Sequence, residues 1–111
     1  GMVSTSSSET IDNANTTAQS GVENYGWCVE YESESSGDDF SAQGVYANGT
    51  CTQALGDTTE ALSTATVNLF AVTAPVAAAR GVLSGSAVIS VLTEAHDDYT
   101  DTLTFIATAT F

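Results

Sequence analysis

Fourteen carboxylates stand against a single basic side chain, Arg80, and the chain has no lysine. Such a chain cannot knit together the usual surface helices, whose exposed faces carry Lys and Glu four residues apart. Its abundant Ala, Thr, Ser, Val and Gly suit thin β layers instead, where β-branched side chains fit a pleated, half-buried surface. With 111 residues, 42% of them apolar, one domain with one core is expected, burying roughly 65% of the surface its unfolded form exposes. The formal charge of −13 repels phosphate backbones and anionic headgroups, which excludes nucleic-acid and membrane-surface binding. It suits solubility in a saline, calcium-containing or extracellular milieu and points to no reaction. The longest nearly apolar stretch, residues 67–79, is interrupted by Asn68, Thr73 and Pro75, so no membrane insertion is expected.

Gly1 before Met2 reads as the remnant of a cleaved tag; if Met2 is the native start, the polar residues that follow carry no secretory signal, and if it is not, a signal has been trimmed away. Residues 2–20 are rich in Ser, Thr and Asn, with Val3 and Ile11 the only sizeable apolar side chains after Met2. Such a segment cannot offset its own ordering entropy, so residues 1–20 are expected to form a flexible polar arm ahead of a β domain at 21–111. Asn-x-Thr triplets at Asn15 and Asn48 carry little weight in a Thr-rich chain.

Residues 26–34 alternate Trp27, Val29 and Tyr31 with Cys28, Glu30 and Glu32, the two-residue period of a half-buried strand. A turn cluster at 35–39 follows, and then residues 40–47 and 50–55 flank Asn48-Gly49, the pattern of a β-hairpin. Asp57-Thr-Thr-Glu60 has the spacing of a helix capping box, but Thr and Val content favours a strand from about Ser63 to Val72, ended by Pro75. Residues 82–93 alternate again, His96 to Tyr99 turns the chain, and residues 102–111 set Leu103, Phe105, Ala107 and Ala109 against Thr102, Thr104, Thr108 and Thr110. Six or seven short strands of this kind predict an all-β, antiparallel β-sandwich, immunoglobulin-like, or a small barrel.

Cys28 and Cys51 are expected to pair as a disulfide in an exported domain. A plain three-strand meander over 26–55 would hold them about 9.5 Å apart, beyond the roughly 7 Å Cα limit. Either the thiols stay free or the first strand crosses to another sheet. The clusters Glu30-Glu32-Glu34-Asp38-Asp39 and Glu94-Asp97-Asp98-Asp101 suit a hard cation, with Asp97, Asp98 and Asp101 the candidate calcium ligands, although neither fits the twelve-residue calcium loop and solvated surface charge is the simpler account. Tyr25, Trp27, Tyr31 and Tyr46 are candidate carbohydrate-stacking aromatics, weighed against core packing. His96 is expected at the surface, and Arg80 is expected to pair with a carboxylate, cap carbonyls or serve an interface. With no phosphate loop, nucleophile elbow or zinc helix in the sequence, no enzymatic activity is expected.

The segment Asp97-Asp-Tyr-Thr-Asp-Thr-Leu-Thr-Phe-Ile-Ala-Thr-Ala-Thr-Phe111 resembles the closing strand of bacterial pilin-like domains of the spore-coat-U and chaperone–usher type. Those end in a Tyr-x-Asp-Thr turn, alternating Thr and apolar residues, and a terminal aromatic. The resemblance implies an incomplete immunoglobulin-like sandwich, export, and assembly through a donated N-terminal strand, with residues 2–20 as donor. That arm lacks the apolar alternation of a donor strand, and no Gly precedes Tyr99.

These readings converge on a non-enzymatic structural or adhesive subunit of an extracellular, cell-surface or virion assembly, whose partners are further copies of itself or other surface proteins. The alternative is a small calcium- or carbohydrate-binding β-sandwich module.

Overall fold

The computed structural model describes residues 1–13, 16–47 and 50–109. Among them the strands are β1 (Met2–Ser4), β2 (Thr10–Ile11), β3 (Thr16–Thr17), β4 (Asn24–Ser33), β5 (Ser36–Gly37), β6 (Ser41–Ala42), β7 (Thr58–Thr59), β8 (Phe70–Ala71), β9 (Val76–Ala77), β10 (Arg80–Val88) and β11 (Tyr99–Thr100). One 3-10 turn, Val45–Ala47, is the only helical element among them. The chain is therefore all-β. Every ladder between named strands is antiparallel, and no barrel closes among the described residues.

The long ribbon of β4 and β10 organises the rest. Its register runs from Arg80 opposite Ser33 to Val88 opposite Asn24, with a shift between Val82 and Leu83. Two glycines let aromatic rings lie on the backbone of β10. A Cβ at Gly85 would come 2.7 Å from Trp27, and one at Gly81 2.3 Å from Phe70. Phe70 is also stacked on Phe40 at 4.9 Å. Short pairs decorate the ribbon: β1 lies between β2 and β11, while β3 pairs with β7, β5 with β9 and β6 with β8.

The core is small and centres on the start of β4. Ile11, Ala18, Tyr25, Cys28 and Tyr46 are its buried apolar members, accompanied by buried Asn24, whose Oδ1 accepts a hydrogen bond from Thr59 at 3.3 Å. Cys28 and Cys51 form a disulfide with Cα atoms 5.8 Å apart. The meander that would have separated them does not form, because β4 pairs with distant β10 and residue 51 lies in a loop.

Several sequence expectations are corrected here. The flanks of the expected hairpin do not pair with each other. Residues 41–42 pair with 70–71, residues 45–47 form the 3-10 turn around buried Tyr46, and 50–57 is a loop tied to β4 by the disulfide, while Asn48-Gly49 itself lies outside the described residues. No helix follows the capping-box spacing; Thr58–Thr59 is strand. The strand expected over 63–72 is confined to β8, and that over 82–93 ends at Val88. Residues 102–109 belong to no ladder. Two-residue periodicity says which side chains share a face, but a strand also needs a partner, and within the described residues this segment has none. Conversely, residues 2–17, read from composition as an arm, contribute β1, β2 and β3.

The chain is extended for its size. Its Cα radius of gyration is 15.9 Å, against about 13 Å for a compact domain of this length. Its accessible surface is 6922 Å², roughly 1,200 Å² more than the size scaling of folded monomers gives. With so few buried apolar side chains, the cross-link restricting the unfolded chain carries much of the stability. Replacing Cys28 and Cys51 together by Ser is expected to cost about 2–4 kcal/mol in denaturant unfolding; an unchanged midpoint would show that the 28–51 loop is held by other contacts.

Candidate binding groove and docking segment

A groove of about 490 Å³ opens beside the start of β4, the middle of β10 and the residues after β11, with Met2, Tyr25, Trp27, Tyr99, Asp101 and Leu103 in its lining. β4 positions the aromatics: Tyr25 and Trp27 are two residues apart and so fall on one side of the strand. Their rings meet edge to face, with centroids 6.0 Å apart and planes at 78°. Burial raises the pKa of the Tyr25 hydroxyl; the Trp27 indole N–H opposes this and the Asp101 carboxylate adds to it, leaving the hydroxyl raised overall. The indole N–H is near enough to Tyr25 to act on it, yet it is buried without a well-directed acceptor. Tyr99 donates its hydroxyl to the Glu94 carbonyl at 2.8 Å. The groove thus joins aromatic and apolar walls to one exposed carboxylate, a lining suited to an amphipathic ligand.

The structure divides the four candidate aromatics. Tyr25 and Trp27 border the groove, Tyr25 buried and Trp27 half-buried, whereas Tyr46, as buried as Tyr25, ties a loop, donating its hydroxyl to the Ala61 carbonyl at 2.9 Å and accepting from Ser63 N at 3.2 Å. Tyr31 is exposed and carries Arg80, whose guanidinium carbon sits 5.7 Å from the ring centroid. Among the described residues no carboxylate lies within ion-pair distance of Arg80; His96 Nε2 and the Glu94 carboxylate share a hydrogen bond at 2.9 Å. His96 is half-buried rather than fully exposed, its ring edge against Tyr99.

The three candidate calcium ligands are not brought together. Asp98 accepts hydrogen bonds from Ser4 Oγ at 2.7 Å, Thr5 Oγ1 at 2.8 Å and Ser6 N at 2.8 Å, which fastens the arm beside β11. Those donors hold its carboxyl well below the usual carboxylate range. Asp101 faces the groove and Asp97 is exposed. Among the described residues, the set of three ligand-type side chains that converges is Cys28, Cys51 and Asp57, and its sulfurs are joined in the disulfide.

Other carboxylates act as Asp98 does. Burial pushes Asp57 up, but hydrogen bonds from Thr52 Oγ1 at 2.8 Å, Thr52 N at 2.8 Å and Ala54 N at 3.2 Å outweigh it and leave it lowered. Asp38 accepts from Thr73 N and Thr73 Oγ1 and from Ala74 N, and is lowered by them. Glu30 accepts from Ser84 Oγ and Gln53 Nε2, each at 2.6 Å, and is lowered. Sequence reasoning treated Asp38 and Glu30 as members of acidic clusters, read Asp57 as the start of a capping box, and missed Met2. An acidic residue a few positions from Ser or Thr in a loop was the available signal for Asp57.

The second notable surface is apolar. Beyond Leu103, Phe105 is 66% and Ile106 71% exposed, and past the end of β10 Val91 reaches 96% and Leu92 86%. No helix among the described residues is long and apolar enough to cross a membrane. No family model matches the chain, and neither a curated protein nor a solved structure matches it.

A lowered folded-state pKa means that Asp98 contributes its stability above the unfolded carboxylate value of about 3.9 and loses it as pH falls toward the folded value. Asp98→Asn is therefore expected to be less stable than wild type by a constant margin from about pH 5 upward, narrowing below about pH 4. Denaturant titrations across that range test this; a margin that does not narrow on acidification would remove Asp98 as the arm's anchor.

Proposed function

We propose that this chain is a non-enzymatic structural subunit of an extracellular or surface assembly, associating with further copies of itself. The observation that supports the reading is the segment after β11, which has strand patterning, no ladder partner among the described residues, and exposed Phe105 and Ile106. The roughly 1,200 Å² of surface above the monomer expectation exceeds the ~800 Å² that each partner buries in a standard protein interface. The disulfide fits an oxidising compartment, and the charge of −13 keeps isolated subunits soluble until complementary surfaces meet. On this reading the immunoglobulin-like sandwich suggested by the strand pattern is completed between subunits. Light scattering after size exclusion, over a range of protein concentrations, tests it. Wild type should form oligomers, and the double variant Phe105→Asp, Ile106→Asp should associate at least about tenfold more weakly, a loss of about 1.4 kcal/mol. A wild-type chain that stays monomeric at every concentration would refute the reading.

The groove favours a second reading, a carbohydrate-binding module, because it unites half-buried Trp27 and Tyr99 with exposed Asp101. An aromatic wall beside a carboxylate matches a neutral sugar, which offers an apolar ring face and hydroxyl donors, whereas an acidic sugar is repelled by the net charge. Trp27 is the single tryptophan, so its emission reports the site directly. Titration with cellotriose and chitotriose should shift that emission in wild type and at least about tenfold less effectively in Asp101→Asn. An emission spectrum insensitive to both sugars would dismiss this second reading.

A further inference from the structure

The longest ladder of the molecule ends in an open edge. β4 is covered on both sides: β10 lies on one, and on the other Trp27 exchanges backbone hydrogen bonds with Glu60, both at 2.9 Å, while Tyr25 N donates to the Asp12 carbonyl at 2.9 Å. β10 is paired with β4 alone among the described residues. Antiparallel bonding alternates along a strand, so the orientation of its free groups follows. Tyr25 and Trp27 turn their backbone groups away from β10, hence Asn24, Gly26 and Cys28 are the β4 residues that bond it, through Val88, Ser86 and Ser84. The intervening residues Leu83, Gly85 and Ala87 therefore direct their N–H and C=O groups outward from the free edge.

An open edge of this length is a template for another strand. The same chain carries a strand-like segment that lacks a ladder, residues 102–109. The two match in length, nine residues of β10 against eight of the segment. They also match in charge: from Gly81 to Val88 and from Thr102 to Ala109 neither holds an ionisable side chain, so they can meet without setting carboxylates face to face in a chain of net charge −13. Ile89, Val91 and Leu92, exposed just past β10, would give Phe105 and Ile106 apolar cover. The N-terminal arm is a poorer candidate, because β1 is already paired on both sides and Asp98 fastens the residues after it.

We propose that the segment 102–109 of one copy adds as a strand to the outer edge of β10 in a second copy, forming backbone hydrogen bonds with Leu83, Gly85 and Ala87. This rests on the self-assembly reading above and names its interface. The contact is head to tail, since segment and edge are different surfaces; each added copy leaves one segment and one edge free, so the chain of contacts propagates.

A mixing experiment distinguishes the failure of this interface from the failure of self-assembly. Ala87→Pro removes an outward N–H that β4 does not use and leaves the segment intact; Phe105→Asp with Ile106→Asp spoils the segment and leaves the edge intact. Each variant alone should be monomeric in light scattering, and an equal mixture should give a heterodimer, since only one productive contact remains. In assembled wild type, residue-resolved hydrogen exchange should slow at the amides of Leu83, Gly85 and Ala87 by at least about tenfold relative to dilute monomer, while Ser84, Ser86 and Val88, already bonded to β4, change little. If Ala87→Pro fails to fold, exchange in the wild-type chain decides alone. Oligomers whose protection falls elsewhere, or variants that do not complement, would overturn this interface while self-assembly stands. Slow exchange at those three amides in a monomer would show that the segment closes on its own edge and would overturn both.

Discussion

Carboxylates that accept hydrogen bonds from backbone amides and hydroxyls take the place of ion pairs in this molecule. With one arginine available, and that one resting on Tyr31, the acidic side chains cannot be neutralised by bases. Asp98 gathers the arm, Asp57 the loop after the disulfide, Asp38 the turn at Thr73, and Glu30 links β4 to β10 and to Gln53. Each ties together segments that apolar burial alone would leave loose. Donors directed at a charged acceptor form stronger bonds than neutral pairs, so a chain with a thin core still holds defined loops.

The thin core and the free surface have one origin. The apolar residues are numerous enough for a compact domain, yet those that are buried gather around the start of β4, while Ile89, Val91, Leu92, Phe105 and Ile106 face outward. Carboxylates and the disulfide fix the loops without drawing these side chains inward. Apolar surface left in this state favours association, because area removed from water at a contact is stabilising in the same way as area removed by folding. The thin core and the exposed apolar surface are in this sense two sides of one distribution of residues.

The sequence made the β class legible, together with β4 and β10, because long alternating runs report a face directly. Trp27, Val29 and Tyr31 against Cys28, Glu30 and Glu32 placed β4 to within two residues. The same signal over-reached at 102–109, where alternation exists without a partner among the described residues. Cys28–Cys51 was anticipated as a pair, but the geometry that permits it depends on β4 pairing across more than fifty residues with β10. No local pattern encodes such a choice. At the groove, Tyr25 and Trp27 were singled out as stacking aromatics and Asp101 as a cation ligand. Their meeting with Met2 and Tyr99 depends on β1 lying against β11, a contact between the two ends of the chain.

The position of Arg80 also governs how the chain meets proteases that cut after basic residues. A protease that cuts after basic residues meets a single target bond, Arg80–Gly81, and the chain has no lysine elsewhere. That bond lies at the end of the antiparallel ribbon, where Arg80 opens β10 opposite Ser33 and Gly81 stands opposite Glu32. Cleavage needs the backbone freed from its ladder, so trypsin-like enzymes act here only as fast as the end of the ribbon opens. A composition that denies the fold its ion pairs also leaves a whole class of digestive enzymes one guarded point of attack.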